Sequence, residues 1–99
     1  MKVIFTPAAE ADLEAIADYI ALDSPRRALS FVRELRATSL ALSDFPGAFP
    51  LVPRYERYGV RRRPYGNYLI FYEMADDTIF VTHILNSAQD YEEILFPER

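Results

Sequence analysis

The segment RRPYGNYLIFY, residues 62–72, decides the fold of this chain. A strand predicted over residues 58–63 ends at the turn Pro64-Tyr65-Gly66-Asn67, where proline and glycine each supply a special backbone angle. Residues 68–74 then form a strand that is apolar throughout except at Glu73. Because a short turn joins the two strands, they pair antiparallel, and the segment predicts a β-hairpin.

The pattern continues towards the C-terminus. Ala75-Asp76-Asp77 forms a second predicted turn, and residues 78–85 form the last full strand. Consecutive hairpins make the three strands an antiparallel meander. A short helical or extended tail over residues 90–96 follows and ends at Pro97.

The N-terminal half is predicted to hold one short strand, residues 2–6, and two helices. Thr6-Pro7 and Ser24-Pro25 each combine a capping hydroxyl with a proline at the first helical position. The second helix runs to about Ser43, and the two helices pack as an antiparallel hairpin because their connection is so short. Residues 44–53 contain three prolines and form a loop.

These elements predict a single domain over residues 1–99, of the α+β class, in the order β-α-α-β-β-β with a short C-terminal tail. The helix hairpin packs on a small, mainly antiparallel sheet. Alternation along the strands makes both sheet faces apolar. In the middle strand, Ile70 and Tyr72 point to one face, and Leu69 and Phe71 point to the other. In the last strand, Phe80 and Ile84 are expected on one face, and Ile79, Val81 and Leu85 on the other. One hairpin covers one face, so the other is either open to a partner or closed by the tail and the proline-rich loop.

Composition and charge narrow the function classes. Hydrophobic residues make up 51% and charged residues 26%, which is the balance of a globular domain. The chain has no cysteine, which removes disulfides, thiolate zinc sites and thiol catalysis together. No apolar run reaches the roughly 20 residues of a membrane span, and residues 1–7 do not resemble a signal peptide. We therefore expect a cytoplasmic protein that needs no metal or cofactor.

The charge pattern is uneven. The formal net charge is −4 and the pI is about 4.9, the opposite of a stand-alone nucleic-acid binder. Yet five arginines fall within residues 54–63 against one acid, Glu56: they are Arg54, Arg57, Arg61, Arg62 and Arg63. This stretch is either a concentrated positive surface or a solvated charged edge.

At residues 62–72 the sequence resembles the "R-R-x-P-Y-G-x-Y-x-I-x-Y" segment of ParE-type toxins, also known as plasmid stabilisation proteins. The opening FTPAAEADL, residues 5–13, and the segment DSPRRA, residues 23–28, look like that family's helix starts. DDTI at residues 76–79 and AQDY at residues 88–91 resemble its closing strand and tail. The resemblance covers essentially the whole chain.

The resemblance implies a RelE/ParE fold and a cognate antitoxin whose C-terminal segment folds onto the toxin, with DNA bound only through that antitoxin. An apolar sheet face suits such a segment, because amphipathic strands and helices commonly dock into apolar grooves. The candidate antitoxin-binding residues are Ile70, Tyr72, Phe80 and Ile84.

Two activities occur in the superfamily: RelE-like members cleave mRNA on the ribosome, and ParE-like members poison DNA gyrase without known chemistry of their own. RNA cleavage needs a base, an acid and a positive group at the phosphate. The only histidine, His83, is expected to be a partly buried strand residue and not a base. The candidate target-binding or phosphate-binding residues are Arg61, Arg62, Arg63, Tyr65, Asn86, Gln89 and Tyr91.

The tail departs from the family pattern. Where many relatives read "H-G-x-R-D", this chain has Asn86-Ser87-Ala88-Gln89-Asp90. Asn and Gln cannot transfer protons near neutral pH, which weakens the nuclease interpretation. The resemblance then implies the ParE-like activity, non-enzymatic inhibition of DNA gyrase. A ribosome-dependent endoribonuclease and an inactive toxin that serves only as an antitoxin-binding co-repressor are the alternatives.

Overall fold

The computed structural model describes residues 1–98. Besides two 3₁₀ turns, the described chain forms four strands and three helices, in the order β1 (Lys2–Phe5), α1 (Pro7–Ala21), α2 (Pro25–Leu40), β2 (Arg61–Tyr65), β3 (Tyr68–Ala75), β4 (Thr78–Asn86) and α3 (Tyr91–Leu95). The predicted α+β order is confirmed.

Both long helices begin where their capping chemistry predicts. The Thr6 side chain accepts a hydrogen bond from the Ala9 amide at 3.1 Å, and the Ser24 side chain accepts one from the Arg27 amide at 3.1 Å. Each cap satisfies an amide that the first helical turn leaves without a partner. A 3₁₀ turn then extends α2 to Ser43.

The sheet has the order β1-β4-β3-β2. The β2–β3 and β3–β4 pairs are antiparallel, as the meander predicts, and β1 pairs parallel with β4. Gly66 takes a φ of 58° in the two-residue turn between β2 and β3, a conformation that glycine adopts at little cost. The sheet is therefore mainly antiparallel, with β1 at one edge and β2 at the other.

The predicted start of β2 is wrong by three residues. Residues 56–58 form a 3₁₀ turn that ends at Gly59, and the strand begins at Arg61. Pro64, predicted to open the turn, lies inside β2 and pairs with Leu69. An edge strand tolerates proline because no further strand requires the missing N–H.

The proline-rich loop runs along the outer edge of β2. The Val52 amide donates to the Val60 carbonyl at 2.8 Å, and the Arg62 amide donates to the Pro50 carbonyl at 3.0 Å. The buried Tyr72 hydroxyl also donates to the Pro46 carbonyl at 2.7 Å, and burial raises the pKa of this phenol. These bonds fix the loop on the body of the domain.

A one-residue bulge interrupts the alternation of β4. Phe71 pairs with His83 while Tyr72 pairs with Val81, so Thr82 is an extra residue. As a result Ile84 lies in the same buried cluster as Val81, and the prediction that Ile84 shares a face with Phe80 is wrong.

Two apolar clusters lie on opposite faces of the sheet. The helix hairpin covers the first, whose members include Leu13, Phe31, Leu35, Ile70, Tyr72 and Ile84. We call the opposite side the tail face. Its cluster contains Val52, Tyr55, Val60, Leu69, Phe71, Leu85 and Phe96.

The tail and the proline-rich loop close most of the tail face. Of the two interpretations of the sequence, the one in which the chain covers this face itself therefore holds for most of it. Leu69, Phe71 and Leu85 are at most 8% exposed. The row formed by Ile4, Phe80 and Glu73, which pair across three strands and therefore point to one face, remains half-buried. The open apolar area is thus much smaller than the sequence predicts.

Candidate functional site

The three consecutive arginines of β2 point to opposite sides of the sheet. Arg61 Nη1 donates to the Phe49 carbonyl at 2.7 Å. The Arg63 guanidinium lies 5.0 Å from the centre of the Phe49 ring and also contacts the Pro64 carbonyl. Both side chains therefore hold the proline-rich loop, and neither shares a site with Arg62.

Arg62 is the arginine on the tail face. Its Nη1 donates to the Tyr91 hydroxyl at 2.6 Å. The Tyr91 ring packs on Phe71, with ring centres 5.1 Å apart. The structure thus brings together two of the predicted residues, Arg62 and Tyr91, at the start of the tail.

A second arginine holds the tail further along. Arg54 Nη2 donates to both carboxylate oxygens of Glu92, at 2.7 and 2.9 Å. The hydrogen bonds that Arg54 donates to Glu92, and then the negative charge of Glu92, raise the pKa of Arg54. The Arg54 side chain is nevertheless 75% exposed, so it also presents charge to the solvent.

Aromatic stacking closes the end of the tail. The Tyr55 and Phe96 rings stack with centres 4.4 Å apart, and the Tyr58 ring lies 4.9 Å from Phe96. The Arg57 guanidinium sits 4.7 Å from the centre of the Tyr58 ring, within the range of a cation–π contact. Tyr58 is 41% exposed, so an arginine and a tyrosine lie side by side at the surface.

Beside this stack lies an open cleft of about 300 Å³. Its lining residues are Tyr58, Val60, Glu73, Leu95, Phe96, Pro97 and Glu98. We call Arg54, Arg57, Tyr58 and this cleft the tail-face rim. Arginine and tyrosine dominate the strongest contacts of protein interfaces, so the rim is a candidate protein-binding surface. The sequence shows Arg54 and Arg57 in its basic stretch, but nothing local to them signals that the tail folds back beside them.

The other predicted site residues lie elsewhere. The Tyr65 hydroxyl donates to Glu34 Oε1 at 2.7 Å, and Arg27 Nη1 donates to Glu34 Oε2 at 2.6 Å. Hydrogen bonds from Arg27 and then from Tyr65 lower the pKa of Glu34, and the bond to Glu34 raises the pKa of Tyr65. Tyr65 therefore anchors the end of β2 to α2.

Asn86 and Gln89 shape the turn before α3. The Gln89 side-chain carbonyl accepts from the Asn86 amide at 2.9 Å, and the Asn86 side-chain carbonyl accepts from the Ala88 amide at 2.9 Å. Both amides thus satisfy local backbone groups. The structure does not bring them into contact with the arginines of β2.

His83 lies at the edge of β4, beyond the end of β1. Its Nδ1 is 2.8 Å from Asp12 Oδ2, which also accepts from the Ile84 amide at 2.9 Å. The His83 side chain is 23% exposed, which confirms that it is a partly buried strand residue. Asp12, which holds α1 to this edge, was not predicted, because an acid off the apolar stripe of a helix ordinarily faces water.

Three of the four predicted antitoxin-binding residues are in the core. Ile70, Tyr72 and Ile84 are at most 1% exposed beneath the helix hairpin, which leaves a partner no surface of theirs to touch. Phe80 alone remains half-buried on the tail face. Both sheet faces are apolar and the helix hairpin covers only one of them, as expected. The covered face is the one that carries these three residues.

No group of three or more His, Cys, Asp or Glu side chains within residues 1–98 is placed to hold a metal ion. No helix in that range is both long and apolar enough to span a membrane.

Residues 3–91 match the model of a protein family described as the ParE toxin of the type II toxin–antitoxin system parDE. The chain belongs to the ParE toxin family. This ParE-family chain is also similar to a solved structure, "Chromosomal ParDE TA system from P. aeruginosa". The sequence identity is 25%, the TM-score is 0.73, and the match covers 87% of this chain and 95% of the other. No curated protein sequence matches the chain.

Proposed function

We propose that this ParE-type toxin inhibits DNA gyrase in the cytoplasm by binding it, without chemistry of its own, and that a co-encoded antitoxin neutralises it. The arrangement of the arginines and of the tail carries this proposal. Arg61 and Arg63 both contact Phe49 of the proline-rich loop, Arg62 contacts Tyr91, and Asn86 stands where many family members have a histidine. Such residues stabilise a binding surface but supply no group for proton transfer near neutral pH.

The tail-face rim is the surface that we assign to the target. Arg54, Arg57 and Tyr58 are exposed there, next to a cleft that is lined by apolar side chains and by Glu73 and Glu98. In protein–protein interfaces, arginine and tyrosine side chains often supply most of the binding free energy. Arg57 is the best residue to test, because its guanidinium lies closest to the exposed Tyr58 ring and forms no salt bridge within residues 1–98.

Purified toxin, added to gyrase, ATP and relaxed plasmid, is expected to block supercoiling, and prior addition of the antitoxin is expected to restore it. Arg57→Ala should weaken inhibition, whereas Arg26→Ala, an exposed arginine on α2, should not. Full supercoiling activity in the presence of excess toxin would refute the proposal.

The Arg62–Tyr91 pair favours one alternative, a ribosome-dependent endoribonuclease. Here a cation that can hold phosphate and a phenol that can act as an acid are hydrogen-bonded at 2.6 Å. If this pair were catalytic, induced cells would contain fragmented mRNA while gyrase stayed active, and Tyr91→Phe would abolish the fragmentation. Induction without growth arrest would instead support the co-repressor alternative.

The antitoxin is expected to use the open row on the tail face. Phe80 and Ile4 supply half-buried apolar surface next to Glu73, and β1 is an edge strand. An extended segment can add to such an edge and place alternate side chains on the neighbouring apolar residues. Phe80→Ala should therefore weaken antitoxin binding while growth arrest persists.

A further inference from the structure

The outer surface of the helix hairpin carries opposite charges on its two helices. On α1, Glu14 and Asp18 are exposed on the side opposite the buried stripe of that helix. On α2, Arg26 and Arg33 occupy the corresponding outer side. An acidic row therefore lies beside a basic row.

Neither row is neutralised within the described part of the chain. The ion pairs of the hairpin join Arg27 to Glu34 and Arg36 to Glu10, on the flanks of the two helices. Within residues 1–98, none of Glu14, Asp18, Arg26 and Arg33 forms a salt bridge. The rows are thus available to charges from outside the chain.

Large apolar side chains accompany the charges. Leu22 is 87% exposed, Leu29 is 55% exposed and Leu40 is 52% exposed. On α1 the exposed positions between the acids are alanines, Ala11 and Ala15, which let another helix approach closely. Charge with apolar surface of this extent is more typical of an interface than of a solvated helix face.

The register of the hairpin sets the two rows level with each other. Arg36 and Glu10 meet at 2.5 Å, which aligns these two positions of the antiparallel helices. Four residues further along α1, Glu14 is level with the turn of α2 that contains Arg33. By the same register, Asp18 is level with the turn of α2 that contains Leu29. Arg26 lies about one turn from that level.

We propose that a second copy of this chain docks on this surface, hairpin against hairpin, about a two-fold axis parallel to the helices. This axis lays α1 of one copy over α2 of the other and preserves the level of every residue. Glu14 then faces Arg33 of the second copy, and Asp18 faces Arg26 of the second copy. Leu22, Leu29 and Leu40 lose their exposure to water.

Charge complementarity favours a second copy of the chain over other partners at this surface. Two copies of a chain with net charge −4 repel at most relative orientations. The two-fold arrangement places each acidic row opposite a basic row, so both rows are matched at once. A single partner helix would match only one of them. The tail face stays on the outside of the dimer, so the inference is independent of the proposed target and of the antitoxin.

Charge reversal tests the dimer by sedimentation velocity on the full chain. The wild-type protein should be dimeric. Glu14→Arg and Arg33→Glu should each raise the dimer dissociation constant about tenfold or more, because like charges then face each other. An equimolar mixture of the two variants should restore the dimer, since each reversed charge again meets its opposite. Asp77→Arg, the same charge change in the β3–β4 turn, should leave the dimer intact.

Three outcomes would overturn the proposal: a wild-type protein that is monomeric at its highest soluble concentration, reversals that leave the dimer unchanged, or a mixture that fails to recover it although both variants fold. If Arg33→Glu abolishes antitoxin binding in a monomeric protein, the surface belongs to the antitoxin and the dimer is refuted. Should Glu14→Arg not fold, Asp18→Arg with Arg26→Glu gives a second matched pair with the same expected results.

Discussion

Arg62 and Tyr91 are 29 residues apart in sequence, yet a 2.6 Å hydrogen bond joins the guanidinium of one to the phenol of the other. The bond links an edge strand of the sheet to the first residue of α3. With the Arg54–Glu92 pair, it holds the tail over the apolar side chains that would otherwise face water. Two kinds of contact therefore close the tail face: polar contacts at its margin, and packing of apolar side chains at its centre.

Replacing Tyr91 with Phe tests this hydrogen bond alone. We expect the free energy of unfolding to fall by about 1 kcal/mol, because the ring stays on Phe71 while the donor on Arg62 loses its partner. Hydrogen exchange of the α3 amides should accelerate more than that of β3. Tyr19→Phe is the matched control, since Tyr19 is 71% exposed and its hydroxyl can be lost at little cost. Equal effects of the two substitutions would contradict the prediction.

Asp12 is predicted to stabilise the edge of β4 through two acceptor contacts. Asp12→Ala should lower the free energy of unfolding by about 1–3 kcal/mol, because the part-buried Ile84 amide and His83 both lose their partner. Asp12→Asn keeps a carbonyl oxygen for the amide and should cost less. Urea denaturation of both variants measures the difference, and Asp77→Ala, at an exposed acid in the β3–β4 turn, is the control. A larger loss of unfolding free energy in Asp12→Asn than in Asp12→Ala would refute this account.

Stability is predicted to decline in acid through Glu34. Hydrogen bonds from Arg27 and then Tyr65 lower the pKa of Glu34 in the folded state, so its contribution is present above the pKa of the unfolded chain. That contribution is lost as the pH falls through the lower, folded pKa. The urea midpoint of the wild type should therefore drop more between pH 6 and pH 3 than that of Glu34→Gln, with pH values taken from the ordinary glutamate pKa of about 4.3. Glu56→Gln, at an exposed acid, should behave like the wild type.

Ile84 and Phe80 should respond differently to truncation, although simple alternation places them on one face. Ile84→Ala removes a side chain that is 1% exposed and should cost about 2–5 kcal/mol. Phe80 is half-buried, so Phe80→Ala should cost less stability. A titration calorimetry experiment with the antitoxin should show the converse order, with Phe80→Ala losing more affinity than a mild core substitution, Ile84→Val.

The features that sequence alone predicts are those with local causes. The caps at Thr6 and Ser24 rest on a hydroxyl and a proline within three residues, and both helices begin there. The second hairpin rests on Asp76 and Asp77, and Asp76 indeed takes a φ of 55° in that turn. The signals that set the starts of these elements are local, so their positions are predicted without tertiary information.

The features that sequence does not predict depend on distant partners. Pro64 lies inside β2 because the neighbouring loop, and no further strand, occupies that edge. Arg61, Arg62 and Arg63 look like one charged patch along the chain, but alternation and the return of the tail distribute them between the loop and α3. The same holds for His83, whose partner Asp12 is on the first helix.

The extra residue at Thr82 determines which mutations β4 can accept. Deletion of Thr82 would remove the bulge but would leave His83, Ile84 and Leu85 paired with the same residues of β3 and therefore on the same faces. An insertion of one residue after His83 would instead move Ile84 and Leu85 to the opposite faces, because the side chains of a strand alternate. Loss of one codon is therefore tolerated best at Thr82, whereas a gain of one codon further along β4 would exchange its buried and exposed positions.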